Sequence, residues 1–275
     1  MIAKIKYTTD SSINPTNFQN IQIISEVNNI SMGDEWYEIA VDSHFWCEWR
    51  LRAMLKQVNQ LNISIYKKLK VLDVGCGTAI LRKNIESNTN WIVDAVDLNM
   101  DALSKVLPGR GRTMLYNIFD ENDSLIELYD IVILFDVLEH INNTKPFLIS
   151  LLKHLKPGGT YLINVPSLHF FYSTYDKKMG HFRRYNKKTL INEFNGFKVK
   201  LIDTRYWGFC LLPLLVIRSM VMFFMKNDED KIIKRGFKPP NSMINRILQS
   251  IMRLETLIIS KPPLGTSLLL AGKKE

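Results

Sequence analysis

The stretch Val71-Leu72-Asp73-Val74-Gly75-Cys76-Gly77-Thr78-Ala79, running on into Ile80-Leu81-Arg82-Lys83-Asn84-Ile85, constrains this chain more than any other. An apolar run ending in an acid, then two glycines, then apolar residues at helical spacing read as a buried strand, a tight turn and an opening helix. Gly75 and Gly77 let the backbone turn sharply and put no Cβ in the path of a ligand. The expectation is a narrow binding crevice at the end of a strand.

The spacing separates two ligand classes. A dinucleotide fingerprint needs a small residue three positions after its second glycine, where Ile80 stands. The pattern present is Asp73-x-Gly75-x-Gly77-x-Ala79. An acid two residues ahead of the first glycine repels a pyrophosphate and attracts a ligand carrying ammonium and sulfonium charges. That ligand is S-adenosylmethionine.

A second strand, Trp91-Ile92-Val93-Asp94-Ala95-Val96-Asp97, also ends in an acid, 24 residues after Asp73. That offset suits a carboxylate meeting a ribose. From Lys70 to Val165 strands near 70–74, 91–97, 112–116, 130–135 and 160–165 alternate with helical stretches, which implies right-handed crossovers and a parallel sheet. From these residues the chain resembles the class I S-adenosylmethionine-dependent methyltransferases. The resemblance continues through Tyr129-Asp130-Ile131-Val132-Ile133-Leu134-Phe135-Asp136-Val137-Leu138-Glu139-His140-Ile141 and through Leu152-Lys153-His154-Leu155-Lys156-Pro157-Gly158-Gly159-Thr160-Tyr161-Leu162-Ile163. It implies an α/β, Rossmann-like fold: a mostly parallel seven-stranded sheet with helices on both faces and an antiparallel last strand. Segments near 197–204 and 267–273 would be its sixth and seventh strands.

The same resemblance assigns the cofactor site. Asp73 with the backbone at Gly75 and Gly77 would hold the methionine end of S-adenosylmethionine, and Asp97 the ribose. Leu98 and Ile118 would sandwich adenine, with Asn117 at its amino edge and Asp136 at the junction of cofactor and substrate. Asn117 departs from the aspartate of many relatives, and Ala79 from the commonest glycine.

Methyl transfer is an in-line displacement at an activated carbon, so positioning supplies most of the acceleration. Proximity is worth ~7–11 kcal/mol, against ~3–5 kcal/mol for a general base. An oxygen nucleophile still needs a proton acceptor, and His140, His181 and Asp136 are the catalytic candidates. For His140 the favoured reading is that it caps or packs its turn. His181 lies in the run from Lys177 to Lys188, with six lysines and arginines and no acid. Its Gly-His-Phe-Arg-Arg-Tyr segment resembles one found in bacterial methyltransferases of ubiquinone-like or cell-surface glycan biosynthesis. Arg183 and Arg184 would grip a phosphate or carboxylate, with Tyr185 beside them; the plain alternative is a solvated basic loop.

With 275 residues and 46% apolar content the chain can bury a large core. Its three cysteines, Cys47, Cys76 and Cys210, show neither disulfide nor zinc spacing, so no metal is expected and a cytoplasmic setting fits. The net charge of +9 admits anionic membrane or nucleic acid. Nucleic-acid base methylation is disfavoured, because Asp136-Val137-Leu138-Glu139 replaces the Asn/Asp-Pro-Pro-aromatic signature of such enzymes. An RNA methyltransferase and a non-catalytic scaffold remain the competing classes.

Residues 1–34 read as an N-terminal arm, 35–204 with 265–275 as the cofactor-binding domain, and 205–264 as an apolar helical insertion. Trp207 to Met225 is 19 residues with one charge, but a single membrane crossing would strand the last strand on the wrong side. Met243 to Ile259 is amphipathic, and Lys226, Lys231, Lys234, Arg235 and Lys238 lie between. The partners expected are a small, glycan or lipid-linked acceptor and, through 206–260, peripheral contact with the inner face of a membrane; a helical cap over the sheet is the alternative.

Overall fold

The computed structural model describes residues 20–26, 44–224 and 241–275. Residues 35–43 of the expected cofactor-binding domain and the lysine-rich segment from Lys226 to Lys238 lie outside the described residues. Among the described residues, eight strands form one sheet: β1 (Ile21–Ile23), β2 (Lys70–Val74), β3 (Ile92–Asp97), β4 (Thr113–Leu115), β5 (Tyr129–Phe135), β6 (Leu155–Pro166), β7 (Val199–Trp207) and β8 (Ser267–Lys274). Their order is β1-β4-β3-β2-β5-β6-β8-β7, parallel except for β8, which runs antiparallel to β6 and β7.

Seven strands were expected, and the eighth comes from the arm. Its β-branched Ile21-Gln22-Ile23 pairs in parallel with Thr113–Leu115. The edge of β4 otherwise offers unpaired backbone groups, and this short segment satisfies them.

The chain winds outward from β2 through β3 and β4, then crosses back to β5 on the other side. The strand order therefore reverses between β2 and β5, and the crevice opens beyond their carboxyl ends. Period-two alternation gives the sheet two buried faces. Leu72, Val74, Val132, Leu134 and Ile163 pack in the core on one side. Val71, Ile131, Ile133, Phe135 and Leu162 pack on the other, against Trp49, Met54 and Val58. Asp73 shares the face of Val71.

Those three residues belong to α1 (Phe45–Gln60), where buried positions 49, 53, 54, 57 and 58 recur at helical spacing. The His44 side chain accepts the Trp46 N–H at its start, and Asn62 beyond its end takes a positive φ of 56°. Burying Trp49, Met54 and Val58 contributes roughly 1.5–3 kcal/mol each.

The other α-helices among the described residues are α2 (Ile80–Asn88), α3 (Met100–Ser104), α4 (Thr144–Lys153), α5 (Thr174–Lys178), α6 (Lys187–Asn192), α7 (Leu212–Phe224) and α8 (Ser242–Ile258). The described part of helix α7 has 13 residues, about 20 Å. No helix among the described residues is long and apolar enough to cross a membrane.

Candidate active site

Asp73, Asp97, Asn117 and Asp136 all emerge at the same edge of the sheet, at or just beyond the ends of β2, β3, β4 and β5. Gly75 and Gly77 take φ of 72° and 55°, and a Cβ on Gly75 would stand 2.4 Å from Val137 Cγ2. The glycine loop is thus pressed against the residue that follows Asp136. Ala79 also has a positive φ, 55°, in a conformation that costs a non-glycine residue about 1–2 kcal/mol.

Asp97 shapes this loop. Its Oδ2 accepts the Gly77 N–H at 2.7 Å, and its Oδ1 accepts those of Leu98 and Asn99 at 2.8 and 2.9 Å. Burial pushes its carboxyl up against the pull of these backbone donors. Ile118 is buried, and Leu98 is partly exposed. The Asn117 side-chain oxygen accepts the Phe119 N–H, leaving its amide N–H2 as the group available to a ligand. The backbone N–H of Asn117 donates to Ser25 Oγ at 2.7 Å, so the strand from the arm also fixes this end of the crevice.

Asp73 is 2% exposed and its Oδ2 has no hydrogen-bond partner. Burial pushes its carboxyl up to about 7, despite the opposing charges of Arg50 and Arg82. A buried acid oxygen without a donor is costly, and a cationic ligand group would relieve it.

Arg50 was invisible to motif reading. It projects from α1, with its guanidinium 5.9 Å above the Phe135 ring and its NH1 2.5 Å from Asp136 Oδ2. Its Nε has no partner. Asp136, at a φ of 58°, accepts Asn164 Nδ2 on its other oxygen at 2.6 Å. Asn164 Oδ1 accepts the Trp207 indole N–H at 2.8 Å, and Trp207 packs tilted against Trp46 and edge-on against Trp49 at centroid distances of 4.6 and 5.4 Å. One chain of contacts therefore runs from the aromatic anchor of α1 to the switch point. Arg50 falls one turn after Trp46, which was the available signal.

Beyond Asp136, a short turn of Leu138–His140 brings His140 against His181, their rings 4.6 Å apart and perpendicular. The Phe182 N–H donates to the Glu139 carbonyl, pinning the basic loop to this turn. Burial pushes His140 down to about 4, with His181 adding to the shift and a backbone hydrogen bond at Gly180 opposing it. Glu139 is buried with Oε2 unpartnered, and burial together with Asp136 raises its carboxyl well above the usual range. Glu139, His140 and His181 offer ligand-type atoms within 4.8 Å of one another, close enough for a small divalent cation.

His181 is held by a residue the sequence reading did not single out. Its Nδ1 lies 3.1 Å from Oδ1 of the fully buried Asp176. Burial pushes the Asp176 carboxyl up, but hydrogen bonds from His181 and Arg184, the Arg184 charge and the Ser173 N–H outweigh it and hold the group at about 2.

Arg184 Nε donates to Asp176 at 2.7 Å, and Arg183 NH2 to the Asn142 carbonyl at 2.7 Å. Both arginines are committed to the protein at these atoms. Tyr185 is 1% exposed with its hydroxyl on Glu193, so it is a core residue and is not brought to the crevice.

A family profile described as a methyltransferase domain matches residues 40–202. The ubiquinone biosynthesis O-methyltransferase of Rickettsia conorii is 33% identical over 101 residues, covering 35% of this chain and 35% of that one. Matches to its curated relatives span between 35% and 60% of their length. Among solved structures, Haemonchus contortus phosphoethanolamine N-methyltransferase 2, in complex with phosphomonomethylethanolamine and S-adenosylhomocysteine, has a TM-score of 0.51 at 16% identity, covering 89% of this chain and 60% of that one. An S-adenosylmethionine-dependent methyltransferase from Mesorhizobium loti has a TM-score of 0.51 at 12% identity, covering 79% of this chain and 96% of that one. At these identities the structural likeness bears on fold alone.

Proposed function

The chain belongs to the S-adenosylmethionine-dependent methyltransferase family, and from that premise we propose that it methylates a hydroxyl oxygen of a small lipid-linked acceptor. The observation that carries this reading is the division of one sheet edge into two halves. Asp73, Asp97 and the glycine loop form an acidic, narrow half suited to the donor. His140, His181 and the loop around them form a half suited to an acidic proton. The curated relatives, named for O-methylation in ubiquinone biosynthesis, support the oxygen nucleophile and the lipid-linked class.

The residues present fit the donor: the orphaned Oδ2 of Asp73 suits its ammonium, and the unpartnered Nε of Arg50 suits its carboxylate. Asp97 would take the ribose hydroxyls, and Leu98, Ile118 and Asn117 the adenine. S-adenosylmethionine, when bound, supplies a methyl carbon activated by the adjoining sulfonium. Asp136, fixed between Arg50 and Asn164, orients the junction where the acceptor enters. His181 removes the hydroxyl proton, and Arg184 shares the Asp176 carboxylate with it.

The acceptor's tail would lie toward α7 and α8, which we read as a membrane-surface element inserted between β7 and β8. Leu214, Ile217 and Met220 on α7 and Met243, Ile244, Ile247, Leu254, Leu257 and Ile258 on α8 are exposed. Exposed apolar helix faces of this extent mark a lipid or partner contact.

The test is methyl transfer from methyl-labelled S-adenosylmethionine to a catechol bearing an isoprenoid tail, presented in phospholipid vesicles. Label recovered as an aryl methyl ether supports the reading. Label on carbon or nitrogen, or none on this acceptor and on hydroxyl-bearing lipid-linked sugars, contradicts it.

A further inference from the structure

Resting on the O-methylation reading, we propose that Asp176 is the positioning residue that makes His181 the base, by fixing which ring nitrogen carries the proton. Asp176 is fully buried and accepts four hydrogen bonds: from Ser173 N at 2.9 Å, Ser173 Oγ at 3.1 Å, Arg184 Nε at 2.7 Å and His181 Nδ1 at 3.1 Å. An ionised carboxylate only accepts, so the Nδ1 that faces it bears hydrogen. In the neutral ring the lone pair is then on Nε2. The orientation is doubly secured, because the His181 backbone N–H also donates to the Asp176 carbonyl at 2.9 Å, and its carbonyl accepts Tyr172 OH at 2.7 Å.

His140 is the other imidazole of the cluster, and the geometry assigns it a different part. Its ring meets His181 edge to face, and its hydrogen bond goes to the Gly180 backbone rather than to a carboxylate. Glu139 is buried behind it. His181 alone combines an orienting carboxylate with a side chain that is still 14% exposed.

In the step, the acceptor O–H proton passes to His181 Nε2. The oxygen lone pair forms the new O–CH3 bond as the C–S bond breaks, and that electron pair returns to sulfur, giving neutral S-adenosylhomocysteine. Asp176 stays ionised throughout and stabilises the imidazolium. Its arrangement follows the logic by which a buried carboxylate serves a histidine base in hydrolases.

The experiment compares the wild type with Asp176→Asn, His181→Gln and the double variant, saturated with S-adenosylmethionine. Nitrogen-15 imidazole shifts report the His181 tautomer without an acceptor, and initial rates on the prenylated catechol separate kcat from KM with and without chelator. The inference expects the Nδ1–H tautomer in the wild type and its loss in Asp176→Asn. It also expects a kcat loss of about 100-fold or more, with KM and donor affinity within about threefold. The double variant should fall no further than His181→Gln.

An Nε2–H tautomer in the wild type would overturn the inference, as would additive losses with weakened donor binding, the mark of a loop staple. Activity abolished by chelator and restored by a divalent cation would make Nε2 a ligand rather than a base. A wild type with the expected tautomer that methylates only nitrogen or carbon would remove the O-methylation reading and the base role together. Should Asp176→Asn fail to fold, the wild-type tautomer decides the point: Nδ1–H on His181 supports the inference and Nε2–H overturns it.

Discussion

If Asp73 meets the donor's ammonium, as proposed, that ammonium and a proton compete for one buried carboxylate. Its carboxyl sits at about 7, so below that pH it is neutral and offers the ammonium no charge. Affinity for S-adenosylmethionine should therefore fall up to about tenfold for each pH unit between about pH 7 and about pH 5.5, as read by titration calorimetry. In Asp73→Asn it should be weaker and flat over that range. A steep pH dependence surviving in that variant would place the titrating group elsewhere. The shared placement of Asp73, Gly75, Gly77 and Asp97 at one sheet edge was legible because it follows from local spacing: a strand end, a turn needing positive φ, a second strand end. Arg50, Asn164 and Trp207 were not, since their chain of contacts joins positions 86, 28 and 43 residues apart. Asp176 was missed by a single residue, because the basic run begins at Lys177 and its acid stands just before it. Tyr185 was misread for the opposite reason: its neighbours in sequence are basic and partly exposed, while its own ring turns inward to Glu193.

Elements that periodicity defines were placed well, including β2 and α8. The three-residue β1 was not, since so short a run carries no period and is fixed only by pairing with β4. Helix α8 illustrates how packing completes what amphipathicity begins. Leu248, Met252 and Glu255 face inward, and Glu255 accepts three backbone N–H groups, from Gly208, Phe209 and Cys210, at 2.9, 3.2 and 2.7 Å. It thereby ties α8 to the turn that follows β7 and to Trp207 beside the crevice. Glu255→Gln turns one acceptor into a donor facing a backbone N–H. It should lower unfolding free energy by about 1–3 kcal/mol in urea titration, with an unchanged value counting against this anchor.

Across the whole molecule, the donor crevice and the apolar faces of α7 and α8 are joined through α1, whose Phe45 N–H donates to Asn245 Oδ1 and whose Arg50 reaches Asp136. If those faces meet lipid, wild-type protein should co-sediment with anionic vesicles. Ile247→Glu with Leu254→Glu, both on the exposed face of α8, should reduce that binding about tenfold or more while leaving donor affinity unchanged. Equal sedimentation of both proteins would return α7 and α8 to the role of a helical cap. The central claim, that the loop between β2 and α2 and the acid of β3 hold S-adenosylmethionine, is tested most directly by calorimetric titration of the wild type beside Asp97→Ala and Asp97→Asn, each verified as folded by circular dichroism. The account predicts one site per chain, with affinity reduced about tenfold or more in both variants. Folded wild-type protein that takes up no donor, or variants that bind as tightly as the wild type, would contradict it.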